Sequence, residues 1–437
     1  MNGLSNNIQS SSKSNKGLWV AIVVCIAIII GTFYSAFSYL AFALAILAIL
    51  ALKQEDALAL MMMVMPFANI FKPSPEAQSF FTYLMLIYVI WYFAKNRFVH
   101  KGFLLSLFAL IVYLVVQMTV SMNILRTIKF VANLLFIYLA VNSANVHNNK
   151  KLYIAYIVGF VVTSLIAALN IIPNLTDYIG TQDFMIENQE VFRFTGMYGD
   201  PNYYSINVII SLCLIVILNH RKELSAVPAI GLAALMVLFV GLTMSKSAFL
   251  MLIFPLVLLL YSKIQKKNYL LFACVTVISA ILVVQLLTGK IEIFSGVLNR
   301  FNEATDADSL TTGRSYLWER YMNFLGDNPF TLWFGGGFGA NLLSARESHN
   351  TYIDMLYYLG ILGTVLLATV FGVLSKFKRK SIKLNLLNYS VWLCIAVMYF
   401  FLSQLFYFDW AFHIVIAILV SKMDMNQMKE AYSSEKI

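Results

Sequence analysis

The stretch Asp200-Pro201-Asn202-Tyr203-Tyr204-Ser205-Ile206-Asn207-Val208-Ile209-Ile210-Ser211-Leu212-Cys213-Leu214-Ile215-Val216-Ile217-Leu218-Asn219 decides the fold class. Aspartate before proline reads as a helix cap with proline at the first helical position. The run that follows is apolar and, at about 20 residues, long enough to cross a bilayer as one helix. Runs of the same kind recur along the chain. Of 437 residues, 60% are hydrophobic and 12% charged, and the mean hydropathy is +0.77. Water-soluble chains carry about 25% charged residues. This much apolar surface needs lipid as its solvent.

Fourteen candidate spans follow: 17–33, 35–52, 56–71, 79–94, 102–121, 123–143, 152–172, 202–219, 225–243, 246–262, 269–288, 350–374, 385–403 and 405–421. Several are short, so twelve or thirteen also fits. The expected architecture is an all-α polytopic membrane protein of about 12–14 transmembrane helices with one large outward-facing loop. The run Leu18 to Ile30 follows Lys13 and Lys16 like a signal peptide. A second run comes almost at once with no small-x-small site between them, so the first is expected to stay as a span. Residues 1–16, rich in Ser, Asn and Lys, are expected to be a disordered cytoplasmic N-terminus. Residues 17–421 form the transmembrane domain and 422–437 a cytoplasmic tail.

The net charge of +10 does not point to nucleic acid. Lysine and arginine gather in short clusters between spans, such as Lys150-Lys151, Lys266-Lys267 and Lys378-Arg379-Lys380. With a cytoplasmic N-terminus, nearly all such clusters face inward, as the positive-inside rule requires. The two long polar segments, 173–201 and 289–349, then face outward. Cys25, Cys213, Cys274 and Cys394 each fall in an apolar run, with neither metal-ligand spacing nor a disulfide framework.

Chemistry is expected at the outer ends. Arg193, seven residues before Asp200, and the first N–H groups of the span at Asn202 would suit an anion such as phosphate. A well-capped helix with an incidental arginine accounts for the same residues. Thr311-Thr312-Gly313-Arg314-Ser315-Tyr316-Leu317-Trp318-Glu319-Arg320-Tyr321 reads as a short amphipathic helix. Its Arg314, Trp318 and Tyr321 share one face, and Arg320 adds a second guanidinium. Arginine framed by aromatics suits a sugar phosphate; a helix lying in the membrane interface would look alike. Phe334-Gly335-Gly336-Gly337-Phe338-Gly339 lacks the Lys and Ser/Thr of a phosphate-binding loop and reads as a flexible turn.

Ser348-His349-Asn350 stands at the mouth of a span. A near-neutral histidine there can take a proton from a hydroxyl, or simply be polar at a helix entrance. Arg126 and Lys129 lie one turn apart near an outer helix end, where charge usually faces a cavity or a partner; Lys129 can also snorkel. Lys246, at an outer helix start, opposes the helix dipole. Asp409 and His413, one turn apart in the last span, form a further pair whose plainest role is to bond each other.

Together these segments resemble the O-antigen ligase and Wzy-type polysaccharide polymerase superfamily. The resemblance rests on Arg193-x-Thr195-Gly196 with Asp200-Pro201-Asn202, on Leu242-Thr243-x-Ser245-Lys246-Ser247 and on Thr312-Gly313-Arg314 with Trp318. It extends through the glycine cluster to His349-Asn350 with Gly360 and Gly363, and so covers about 193–363. It implies a GT-C-like fold and a glycosyltransferase at the outer face of the bacterial cytoplasmic membrane. The donor would be a glycan on undecaprenyl pyrophosphate, with no metal, nucleotide sugar or other cofactor. A polymerase moves the chain onto the next lipid-linked repeat unit, in some systems beside a chain-length regulator. A ligase moves it onto lipid A-core.

The roles implied are pyrophosphate binding by Arg193 and Arg314 and activation of the acceptor hydroxyl by His349. Arg126, Lys129, Lys246, Asp200, Asn202, Trp318, Tyr321, Arg320 and Asn350 would bind substrate. The family often has arginine where this chain has Lys246, which keeps the charge but loses the bidentate fork. Polymerase is the expected activity, with ligase as its rival. A lipid-linked oligosaccharide flippase is a third reading, weakened by the lack of two related halves.

Overall fold

The computed structural model describes residues 16–95, 100–144, 149–179, 184–186, 189–191, 193–270, 273, 276–277, 311, 313–341, 343, 347–376 and 385–422. Helices dominate: α1 Lys16–Gly31, α2 Ser35–Ala51, α3 Gln54–Val64, α4 Phe80–Lys95, α5 Lys101–Met118, α6 Ile124–Ser143, α7 Lys150–Ala168 and α8 Leu175–Ile179. A two-stranded antiparallel hairpin, β1 Phe184–Ile186 with β2 Gln189–Val191, follows. Next come α9 Pro201–His220, α10 Ala226–Leu242, α11 Lys246–Met251, α12 Ile253–Gln265, α13 Arg314–Asp327 and α14 Pro329–Phe334. The chain closes with α15 Thr351–Lys376, α16 Leu386–Met398 and α17 Phe408–Ser421.

With α11 and α12 taken together as Lys246–Gln265, six helices are long and apolar enough to cross a membrane, and six shorter apolar helices accompany them. Exposed apolar side chains cover the outside: Leu105 on α5 is 71% exposed, and Val227 on α10 is 82% exposed. Water would penalise such a surface, whereas lipid tails accept it. The protein is an all-α multi-pass membrane protein. Helix α9 is its axis, with nearly every residue buried against α7, α10, α11, α12 and α16. The expected span 269–288 falls almost wholly outside the described residues, as do Cys274, residues 1–15, the tail from 423 and the loop from 289 to 310.

Several expected spans take a modified form. Helix α3 has 11 residues, about 17 Å at 1.5 Å per residue, which is too short for a bilayer. It stops where Pro66 removes a backbone donor. A turn of 3-10 helix, Met65–Phe67, carries the chain on to Lys72. The irregular part is tolerated because Phe67, Ala68, Ile70 and Phe71 are buried in protein, away from lipid. The expected span at 246 breaks at Leu252, since Pro255 cannot donate to the Met251 carbonyl. Between α16 and α17, residues 399–407 leave the helix and fold inward; Tyr399, Leu402, Ser403, Gln404 and Leu405 are all buried there.

Contacts between elements sort the helix ends into two groups. At the end richer in basic residues, Lys151 pairs with Asp56, Lys266 Nζ donates to the Asn219 carbonyl (3.2 Å) and Lys422 Nζ to that of Leu374 (3.0 Å). At the other end, Asn69 Nδ2 donates to the Met197 carbonyl (2.8 Å) and Tyr203 Oη to that of Ser403 (2.7 Å).

Candidate functional site

The entrance to α9 is built as its sequence demands. Asp200 is extended and its Oδ1 accepts from the N–H groups of Asn202 (2.6 Å) and Tyr203 (3.3 Å). These are two of the donors a helix start leaves unpaired. The expectation that an anion would sit on them is corrected here: Asp200 occupies them with its own negative charge. Gly199, just before the cap, takes a left-handed φ of 71°.

Arg193 is buried beside this entrance, and its Nε donates to the Thr243 carbonyl (3.0 Å). The next residue pairs along the same edge, Phe194 N–H to Leu242 O (3.0 Å). Ser245 donates to Asn202 Oδ1 (2.7 Å) and caps α11, whose first residue is Lys246. Arg193, Asn202 and Lys246, distant in sequence, therefore share one corner. That corner carries two cations on neighbouring segments, a suitable place for an anionic group.

The entrance to α15 repeats the pattern with other residues. Asn350 Oδ1 accepts from Tyr352 N–H (3.0 Å) and Ile353 N–H (3.2 Å). Asn350 thus serves as a cap and is itself buried. Ser348 Oγ donates to Asp354 Oδ1 (2.7 Å) and accepts from Asn350 N–H (3.0 Å). Trp318 Nε1 donates to the Ser348 carbonyl (3.0 Å). Thr351 N–H donates to the Tyr399 carbonyl (2.9 Å), and Thr351 Oγ1 accepts from Gln404 N–H (3.0 Å). His349 lies between these pinned neighbours, half-buried, with φ at 52°. Left-handed backbone is uncommon outside glycine and marks strain worth explaining.

The segment 399–407 joins the two entrances. It takes the Thr351 contacts on one side, and on the other the Tyr203 ring packs tilted against Tyr407 at 4.7 Å. Arg126 approaches from α6: its Nη1 donates to the Phe338 carbonyl (3.3 Å) and its guanidinium lies 5.0 Å from the Phe406 ring centroid. Glu347 faces the same space. Burial and the neighbouring Asp354 carboxylate push the Glu347 carboxyl up to about 7, although Arg126 pulls it down. Burial, and then Glu347, push the nearby Tyr407 hydroxyl up to about 12.

Helix α13 has the expected spacing but a different use for its aromatics. Trp318 packs edge-on to Phe400 at 5.0 Å and braces the His349 segment. Tyr321 is buried edge-on against Tyr357 at 5.1 Å, so it offers no open face to a sugar. Burial holds its hydroxyl at about 12. Arg320 is exposed, donating to the Leu343 carbonyl (3.1 Å) over the Tyr316 ring. Arg314 opens the helix after left-handed Gly313 and is half-exposed. Lys129 sits one turn below Arg126, half-buried, with no hydrogen bond or ion pair among the described residues.

The glycine cluster is docked rather than flexible. Helix α15 breaks at Gly360, where φ is 66°, and its Tyr357 and Tyr358 carbonyls accept from the N–H groups of Gly336 (2.8 Å) and Gly337 (3.1 Å). A Cβ on Gly360 would stand 2.3 Å from the Gly335 nitrogen. The cluster thereby fixes Phe338, whose carbonyl holds Arg126. Asp409 and His413 do not bond each other. Both meet Asn207: His413 Nε2 donates to Asn207 Oδ1 (2.7 Å), and Asn207 Nδ2 reaches Asp409 Oδ2 (3.5 Å). They tie α17 to α9 beneath the site.

Glu347, Ser348, Asp354, Tyr203 and Tyr407 were not singled out by the sequence reading as acting groups. The polar pair Ser403-Gln404 within an apolar run was the one sign that 399–407 leaves its helix. Among the described residues, no group of three or more His, Cys, Asp or Glu side chains is placed to hold a metal. Residues 231–368 match the family described as O-antigen ligase, Wzy_C. The match runs from α10 through His349 into α15 and agrees, over that part of the chain, with the superfamily that the sequence motifs resemble. Comparison with curated proteins and with solved structures gives no match.

Proposed function

We propose that this multi-pass membrane protein, with its O-antigen ligase-family region at 231–368, is a polysaccharide polymerase. It would move a glycan from undecaprenyl pyrophosphate to a hydroxyl of the next lipid-linked repeat unit, at the outer face of the bacterial cytoplasmic membrane. The N-terminus would lie in the cytoplasm, and a chain-length regulator is the natural protein partner. One observation carries the reading. His349 is held half-exposed in a left-handed backbone, between the buried Ser348 and Asn350, within the family-matching region.

In this reading Arg193 and Lys246 attract the donor pyrophosphate, and Arg314 closes on it from α13. Cations that meet the charge developing on a leaving group stabilise the transition state more than the ground state. His349 orients the acceptor hydroxyl or takes its proton. Asp200, Asn202, Asn350 and Trp318 position these groups rather than touch sugar. Purified protein given a defined lipid-linked repeat unit should make longer lipid-linked products and release undecaprenyl pyrophosphate. His349→Ala should cut that rate by about 100-fold or more. A full rate in that variant would remove His349 from the chemistry.

The description of the matching family favours a second reading, a ligase acting on lipid A-core. A deletion strain separates the two. Core capped with single repeat units means polymerase; bare core with accumulated lipid-linked polymer means ligase.

A further inference from the structure

We propose that Gln117 and Tyr113 of α5 are positioning residues: they clamp the break in α15 so that Arg126 is held for the anionic end of the donor. The inference rests on the glycosyl-transfer reading above and adds to it two residues that lie outside the family-matching region.

The break leaves polar groups to satisfy. Left-handed Gly360 interrupts α15, so the Tyr358 and Leu359 carbonyls lose the N–H groups that a continuous helix would supply. The Phe334 carbonyl stands likewise at the end of α14. Here α5 borders lipid, with Val115 and Val116 exposed, and carbonyls near lipid need partners from within the protein. Gln117 Nε2 lies 2.5 Å from the Phe334 carbonyl and 3.0 Å from that of Tyr358. Tyr113 Oη, one turn earlier, lies 2.5 Å from the Leu359 carbonyl and 2.7 Å from that of Phe334. An amide brings two N–H groups and a phenol one O–H, so three donors meet three carbonyls. Gln117 is buried, and its own Oε1 has no partner among the described residues. The side chain is therefore placed for its donors, with its acceptor left over.

The clamp reaches Arg126 through the glycine cluster. Glycines leave it room: a Cβ on Gly335 would stand 2.6 Å from Gln117 Nε2, and one on Gly363 would stand 2.5 Å from Tyr113 Cε1. Gly336 and Gly337 then bond the Tyr357 and Tyr358 carbonyls, which seats Phe338. Its ring meets Phe130 at 5.1 Å and Phe406 at 4.9 Å, and Phe406 also meets Tyr358 at 5.2 Å. The Phe338 carbonyl receives Arg126 Nη1 (3.3 Å), and the Phe406 ring centroid lies 5.0 Å from the guanidinium. Both contacts therefore hang on what the clamp holds. The remaining guanidinium N–H groups make no hydrogen bond among the described residues. Phe406 belongs to the segment that joins the two helix entrances, so Arg126 is fixed beside that segment with N–H groups available for a phosphate.

Gln117 and Tyr113 touch no substrate themselves. They set where Arg126 stands when the donor pyrophosphate arrives. Loss of the clamp leaves Arg126 charged but misplaced, so donor binding weakens while the groups around His349 remain. The effect depends on an arginine at 126. A merely structural role would lower stability whichever residue stood there.

The test follows transfer between lipid-linked repeat units by the purified full chain, with KM and kcat measured for each variant. Gln117→Leu keeps the size and removes the donors. It should raise KM about tenfold and leave kcat within a few-fold. Arg126→Ala should raise KM by a similar factor. The double variant should be no worse than Arg126→Ala alone, because the two residues act as one unit. Tyr113→Phe removes a single donor and keeps the ring. It should show the same pattern, also lost beside Arg126→Ala, at a few-fold, and it carries the test if Gln117→Leu does not fold. An unchanged KM in the clamp variants, or factors that multiply in the double variants, would overturn the inference while glycosyl transfer stands. A fall in kcat alone would overturn it too. No product from wild-type protein would sink the glycosyl-transfer reading itself.

Discussion

The entrances of α9 and α15 share one backbone design and differ at one side chain. Each cap, Asp200 or Asn350, takes the N–H groups two and three residues on. In each, the residue before the cap is left-handed: Gly199 at 71° and His349 at 52°. Glycine adopts this conformation freely, while an L side chain there costs about 1 kcal/mol or more. Where capping alone is needed, glycine occupies the position. At α15 the chain carries the strain and keeps an imidazole. Asn170, Lys222, Met244 and Lys267 are left-handed as well; the proposed role toward the acceptor hydroxyl supplies the reason for an imidazole at this one.

That contrast can be broken at several points. Among the capping and bracing residues, the largest effect should come from Asn350→Ala. It strips the cap beneath His349, costs about 1–2 kcal/mol, and should lower transfer well beyond what lost protein explains. Unfolding in detergent micelles, read beside specific activity, checks both. Asp200→Ala should cost a similar amount of stability, about 1 kcal/mol, and leave activity per folded molecule within a few-fold. A collapse of activity at unchanged stability would make Asp200 a substrate contact and erase the difference between the entrances. Gly199→Ala should cost about 1 kcal/mol through its left-handed φ alone. The smallest effect should be Trp318→Phe, which removes one hydrogen bond to the Ser348 carbonyl, worth about 1 kcal/mol. Its activity loss should be modest, because the ring still packs on Phe400.

Most of the fold was legible because lipid imposes a simple rule. Apolar runs must be helical, and basic clusters choose a side. The cap at Asp200-Pro201 could be read directly, as could the helix opened by Arg314. Other features depended on tertiary context. The 399–407 segment is apolar enough to extend a helix, yet Ser403 and Gln404 turn it inward between Tyr203 and Thr351. Trp318 and Tyr321 do share a face, but that face meets Phe400 and Tyr357. The Gly335–Gly339 cluster read as flexible because nothing local shows that α15 breaks at Gly360 to receive it. Glu347 looked like one acid among several in a polar loop; only burial beside Asp354 distinguishes it. The left-handed φ of His349 leaves no mark in sequence at all.

The proposal puts His349 to chemical use at a left-handed position that glycine would hold without strain. Measuring stability and transfer together on His349→Gly tests it most directly. The variant should unfold at a temperature equal to or above that of the wild type, since it relieves about 1 kcal/mol of left-handed strain. Its transfer between lipid-linked repeat units should fall by about 100-fold or more. A variant that is markedly less stable, or that transfers glycan at the wild-type rate, would contradict the claim.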